Sequence, residues 1–186
     1  MKKKSIFADA RALEDAFFTK ENARLLEQLK EKQKREALRE MVKVEDETFL
    51  DRLIELGIGP ETVLALTLVP LIAVAWADGT LDGRERDAII KAAEEKGVSP
   101  ETAGHQLLET WLSRRPEREL FDSWKQYVRG IWETFTDEER QRMRERTLDW
   151  ALAVAEASGG FLGVISKVSP SERVVIKELE NVLRVS

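Results

Sequence analysis

Apolar residues recur along this chain at spacings of three and four, and nowhere in sustained alternation. A period near 3.6 gathers such residues on one face of a helix, whereas a half-buried strand needs a period of two. The pattern therefore predicts an all-α protein of seven to nine helices. The first covers residues 5–44. Ile6, Ala10, Leu13 and Phe17 open it at helical spacing, and Leu25, Leu26 and Leu29 follow. Residues 27–40 are mostly Glu, Lys, Gln and Arg, strong helix formers with little to bury. This stretch is expected to be an arm, solvated through its middle. It either packs on its own domain or pairs with a second subunit through Phe17, Phe18 and Leu25.

A short helix over residues 46–56 comes next, with Phe49, Leu50, Leu53, Ile54 and Leu56 inward. Residues 60–77 are apolar on nearly all sides, the mark of a central buried helix, and Pro70 should kink it or split it in two. A helix over 82–96 follows. Ser99-Pro100-Glu101 is expected to start another that ends near Ser113, and Pro116 to open the one after. Thr136 with Glu139, and Ser169 with Glu172, have the spacing of capping boxes, which start helices running to about Ala157 and Arg184. The division expected is an N-terminal arm, 1–45, and a helical domain, 46–186. The longest apolar run, 63–77, is about 15 residues, short of the roughly 20 that span a bilayer. Membrane insertion is not expected.

Composition sharpens this picture in three places. Hydrophobic residues make up 42% and charged residues 35%, which is globular rather than disordered. The net charge of −5 is carried beyond residue 50, where 18 basic residues face 24 acidic ones. Such a domain lacks the electrostatic footprint for a phosphate backbone, so nucleic acid is not an expected partner. There is no cysteine, which excludes disulfides, thiolate metal sites and cysteine nucleophiles. The opening Met-Lys-Lys-Lys-Ser is basic, but no apolar stretch follows, so a signal peptide is not expected. The reading is cytoplasmic.

Residues 71–90 concentrate the candidate chemistry. An Ala-rich helix ends near Ala77, a turn follows, and a second helix starts near Asp82. Asp78, Asp82 and Glu85 lie in or beside the turn. Asp82 and Glu85 fit a capping box, whereas Asp78 sits at the negative end of a helix dipole, where a carboxylate is misplaced. Arg84, Arg86 or a hard cation would compensate it. Asp78 to Glu85 also matches the second half of an EF-hand loop. Its first half fails, because Val74 and Trp76 occupy the places of the first and third ligands. Residues 71–79 align with 151–159 at five of nine positions, and Glu85 and Ile89 align with Glu172 and Ile176. Two related helical hairpins follow from that repeat. The second has Ser158 for Asp78, Ser169 for Asp82 and a longer turn holding Gly159, Gly160 and Gly163, so it should be the weaker cation site.

Residues 73–86, Ala-Val-Ala-Trp-Ala-Asp-Gly-Thr-Leu-Asp-Gly-Arg-Glu-Arg, resemble the signature of TerB-like domains. These are the all-helical modules named for tellurite resistance and also found in membrane-anchored J-domain co-chaperones. The likeness covers roughly residues 60–184. It implies a TerB-like helical bundle, here with a long N-terminal helix added, and an acidic surface suspected of binding metal ions. It also implies a role linked to stress. By position, Asp78, Asp82 and Glu85 carry the metal role. The arm and the enlarged second turn depart from the family.

A catalytic reading finds little. His105 is the only histidine and reads as a structural or surface residue, so no Ser-His-Asp set is possible beyond that one histidine, and the di-iron Glu-x-x-His motif is absent. No phosphate-binding loop with its lysine is present. Trp111, Trp124, Trp132 and Trp150 fall on helical faces and read as core, with an aromatic groove for a partner helix as the alternative. The expectation is a non-enzymatic module that binds a divalent cation weakly, calcium or magnesium ahead of zinc. The alternative is a structural adaptor that binds a protein partner or a second copy of itself through its arm and aromatic helices, without metal.

Overall fold

A computed structural model describes the backbone of residues 3–157 and 168–184, and the side chains of residues 19–157 and 168–184. Among these, the chain forms eight α-helices and one 3-10 helix, with no strand. They are α1 (Lys3–Val42), α2 (Glu47–Glu55), the 3-10 helix (Val63–Leu68), α3 (Val69–Ala75), α4 (Gly83–Glu95), α5 (Ala103–Ser113), α6 (Arg118–Trp132), α7 (Asp137–Ala157) and α8 (Pro170–Val182). The all-α expectation holds. The second turn of the sequence repeat, with Ser158 and its glycines, lies outside the described residues, as do the side chains of Phe17 and Phe18. No helix among the described residues is long and apolar enough to cross a membrane.

The chain divides into two compact units, Met1–Ala37 and Leu38–Ser186. The first is helix throughout its described residues. Its leucines Leu25, Leu26 and Leu29 are exposed, and Arg24 reaches back one turn to Glu21 at the ion-pair limit of 4.0 Å. In the second unit, Leu38 and Val42 at the end of α1 are fully buried and belong to the core.

That core is one continuous cluster running from Leu38 to Leu183. The α3 helix is its centre and packs against α6, α7 and α8. Its residues Pro70, Leu71, Ile72, Val74 and Ala75 are all buried. Outside this centre, α4 packs on α7, α5 on the 3-10 helix, and α2 on α6. The inward face of α6 holds Leu120, Trp124, Val128 and Ile131, an i, i+4, i+8, i+11 stripe of the kind an amphipathic helix buries. Gly130 lies on α6 where Val44 presses against the helix, and a Cβ there would stand 2.5 Å from Val44 Cγ2.

Two starts differ from the sequence expectation, and one break agrees with it. Residues 60–77 split in two, as expected of Pro70. The stretch winds as a 3-10 helix to Leu68 and restarts as α3, with Pro70 in the first turn. A proline fits there because the first-turn N–H groups have no intrahelical partner to lose. Pro100 does not open α5, because Thr102 two residues on is the N-cap and accepts a hydrogen bond from the His105 N–H. Pro116 likewise precedes α6, which begins at Arg118 after Glu117.

The buried end of α1 and its exposed arm should respond differently to truncation. Leu38→Ala is expected to cost about 2–5 kcal/mol, as for other fully buried leucines. Leu26→Ala, on the exposed arm, should change stability by no more than about 0.5 kcal/mol. Urea unfolding of both variants checks this. Equal losses would mean that the arm is as deeply packed as the core.

Candidate functional site

The acidic turn connects α3 to α4. The α3 helix ends at Ala75, the N–H of its C-cap Trp76 reaches the Ile72 carbonyl, and the Gly79 N–H returns to the Trp76 carbonyl at 3.1 Å. Gly79 has φ +95°, a conformation in which a side chain would be strained. The Trp76 indole Nε1–H donates to the Trp111 carbonyl at 2.9 Å, which ties the end of α3 to α5. The start of the turn is therefore fixed from two directions.

Asp78 is exposed and closes its own loop. Its Oδ1 accepts from the Thr80 backbone N–H and the Thr80 hydroxyl, both at 2.9 Å. These two donors, rather than an arginine, satisfy the carboxylate at the helix end. Arg86 is engaged elsewhere, in an ion pair with Glu109. Glu109 also lies 3.5 Å from His105 Nε2. The Arg115 guanidinium comes near the turn, about 4.0 Å from where a Cβ on Gly79 would stand, but pairs with no carboxylate there.

Asp82 and Glu85 form the expected capping box. Asp82 Oδ1 accepts from the Arg84 and Glu85 N–H groups at 2.8 and 2.9 Å, and Glu85 Oε2 accepts from the Asp82 N–H at 2.9 Å. The two carboxylates differ sharply in surroundings. Asp82 is exposed, whereas Glu85 is only 5% exposed. Burial pushes the Glu85 carboxyl up to about 7, against the pull of the Asp82 N–H, and the nearby charges of Asp82, Glu172 and Asp78 raise it further.

Glu172 is the site residue that the sequence-based expectation left out. It holds the matching place at the start of α8, where Ser169 caps the helix and the Ser169 N–H donates to the Glu172 carboxylate. It is 4% exposed. The signal was present in the alignment of Glu172 with Glu85, but the capping role explained it locally. That the two N3 glutamates would feel each other through the core is a tertiary fact. Among the described residues, no lysine or arginine forms an ion pair with Asp78, Asp82, Glu85 or Glu172. Nor are any three His, Cys, Asp or Glu side chains there set to enclose a metal ion.

Each of the three turn carboxylates thus gives one oxygen to the backbone and has a second without a protein partner. Such an arrangement can hold a proton or a hydrated hard cation. His105, in α5, has a buried Nδ1 without a hydrogen-bond partner. Searches against family models, curated proteins and solved structures return no match for this chain.

The Glu85 carboxyl titrates about 7 in the folded chain against 4.5 when unperturbed, so folding favours its protonated form. Its contribution to stability is full below pH 4.5, declines as pH rises through this window, and is lost above about pH 7. Glu85→Gln keeps an acceptor for the Asp82 N–H and removes the titration. In chelator, the variant should match the parent near pH 4.5 and melt a few degrees higher at pH 8. Thermal melts across pH check this, and a difference independent of pH would show that Glu85 stays ionised on folding.

Proposed function

We propose that this chain is a non-enzymatic TerB-like module that binds a divalent cation weakly at the turn between α3 and α4. One observation carries the reading: Asp78, Asp82 and Glu172 all raise the proton affinity of the buried Glu85, and among the described residues no basic side chain pairs with any of the four. A cation would relieve that repulsion as a proton does. Asp78, Asp82 and Glu85 are its proposed ligands, reached in part through water because they are not set to enclose a bare ion, with Glu172 adding its charge from the start of α8. Two related hairpins, α3 with α4 and α7 with α8, build the site. The observation supporting them is that α4 and α8 both open on a capping box with a buried glutamate at its third position.

The donor set selects the ion class. All the ligands are oxygens and there is no thiolate or imidazole among them, which favours calcium or magnesium over zinc. Affinity is low for two reasons. Water must complete the coordination, and the ion must displace the proton that Glu85 holds near neutral pH. The link to stress or tellurite resistance rests on the resemblance of residues 73–86.

Melting in chelator and then in millimolar calcium, magnesium, manganese or zinc tests the site. A cation at about ten times its Kd adds about 1.4 kcal/mol, or roughly 3–6 °C for a chain of this length. Asp78→Asn keeps the acceptor for Thr80 and removes the charge, so it should abolish most of the shift. Glu172→Gln should reduce it. No shift with any of the four ions would sink the proposal.

A second reading, a protein adaptor that needs no metal, is favoured by the arm. Leu25, Leu26 and Leu29 stand on one stretch of α1, 47%, 59% and 55% exposed. If they pair with a second copy, sedimentation equilibrium of the full chain will show self-association in chelator. The double substitution Leu26→Lys/Leu29→Lys should then leave a monomer with unchanged melting. A parent chain that is monomeric throughout rules out pairing with itself.

A further inference from the structure

On the side of the domain where α4 ends, the 3-10 helix, α6 and α7 surround a cavity of about 580 Å³. Its apolar walls include Trp124, Ile131 and Met143. Three cations line it, Lys96, Arg142 and Arg146, against two carboxylates, Glu95 and Glu139. One of those carboxylates is already committed, since Glu139 Oε2 accepts from the Thr136 N–H and hydroxyl to cap α7. None of the three cations forms an ion pair with a carboxylate among the described residues. Of the three, Lys96 is half-buried, whereas Arg142 and Arg146 are exposed.

Their arrangement is also specific. Lys96 Nζ lies 4.2 Å from the centre of the Trp150 ring, and the Arg146 guanidinium lies 5.7 Å from the same ring. Two of the cations that line the cavity therefore share one aromatic ring, which is not itself part of the lining. Lys96 is the C-cap residue of α4, and a lysine there is favourable to the helix dipole. That accounts for a solvated lysine. It does not account for one drawn out of water beside a second cation. Burial, and then the charge of Arg146, lower the Lys96 ammonium to about 8. The same cavity holds Tyr127, whose hydroxyl has no hydrogen-bond partner among the described residues.

We infer that this cavity binds a small amphipathic monoanion, its apolar body against Trp124, Ile131 and Met143 and its anionic head between Lys96 and Arg146, with the Tyr127 hydroxyl as a further donor. The lining carries one positive charge in excess, which a single carboxylate or sulfonate neutralises. Guanidinium and ammonium groups bind such heads by charge-assisted hydrogen bonds, and the lining sets apolar side chains beside charged ones, as an amphipathic ligand requires. The site shares no residue with the acidic turn, so it stands or falls independently of the cation proposal.

Isothermal titration of the full chain with 1-naphthylacetate and with decanoate tests the inference, the two probes offering an aromatic and an aliphatic body with the same head. Uncharged 1-naphthylacetamide is the control. At least one carboxylate should bind with a Kd below about 1 mM, and at least tenfold more tightly than the amide in the aromatic case. Lys96→Met and Arg146→Met keep the apolar stems and should each weaken the bound carboxylate by tenfold or more, with melting temperature confirming that each variant is folded. Equal binding of acid and amide, equal binding by both folded variants, or no binding of either carboxylate up to 10 mM would each overturn it.

Discussion

A helix of seven residues leaves about four N–H and four C=O groups at its ends without intrahelical partners, and α3 has no exposed residue from Val69 to Ala75 in which to hide that deficit. Its ends must be met inside the protein. At the N-terminus Pro70 has no N–H to satisfy, and the 3-10 helix feeds directly into it, with the Val69 N–H bonded to the Leu66 carbonyl. At the C-terminus the Trp76 and Ala77 N–H groups bond back into α3, and Gly79 folds the chain over. Those constraints decide where the chain can leave the core. The acidic turn is the exit, and its geometry follows from closing α3.

The same closure explains why its charges are unbalanced. A capping box is as a rule a surface device, with its glutamate in water and fully ionised. Here α4 begins against the core, so the glutamate that caps it is taken out of solvent. The start of α8 repeats the arrangement with Glu172. The second cap therefore brings a buried carboxylate close enough to raise the proton affinity of Glu85, and Asp78 and Asp82 add to the field. The capping role of Asp82 and Glu85 does not compete with a cation-binding role. The caps engage one oxygen of each carboxylate and create the electrostatic debt that a proton or cation would settle.

Much of this was legible in the sequence. The helical period, the caps at Asp82, Thr136 and Ser169, and the break at Pro70 are local properties, written within a turn or two of where they act. Starts decided by competition between neighbours were less so. Thr102 takes the N-cap of α5 from the Ser99-Pro100 pair because its hydroxyl reaches the His105 N–H, a choice that composition does not rank. Least legible were the properties that need the whole packing. Nothing near Glu85 announces that it is buried or that Glu172 lies close enough to act on it. Trp150 fits a helical core face by spacing, yet it is only half-buried and carries Lys96 and Arg146 over its ring.

The two unbalanced places lie at opposite ends of one helix. α4 has 13 residues and so spans about 20 Å. It starts at the carboxylates of Asp82 and Glu85 and is capped at its end by Lys96. The sign of charge at each end is what the helix dipole favours, worth about 0.3–1 kcal/mol at each terminus. The dipole accounts for one acid at the start and one base at the finish. It does not account for further charges of the same sign beside them: buried Glu172 and exposed Asp78 at one end, and exposed Arg146 at the other, each opposing the group it neighbours. Asp78 and Arg146 themselves stand in solvent, so the electrostatic cost falls on the groups held out of it, the buried Glu85 and Glu172 at the first end and the half-buried Lys96 at the second.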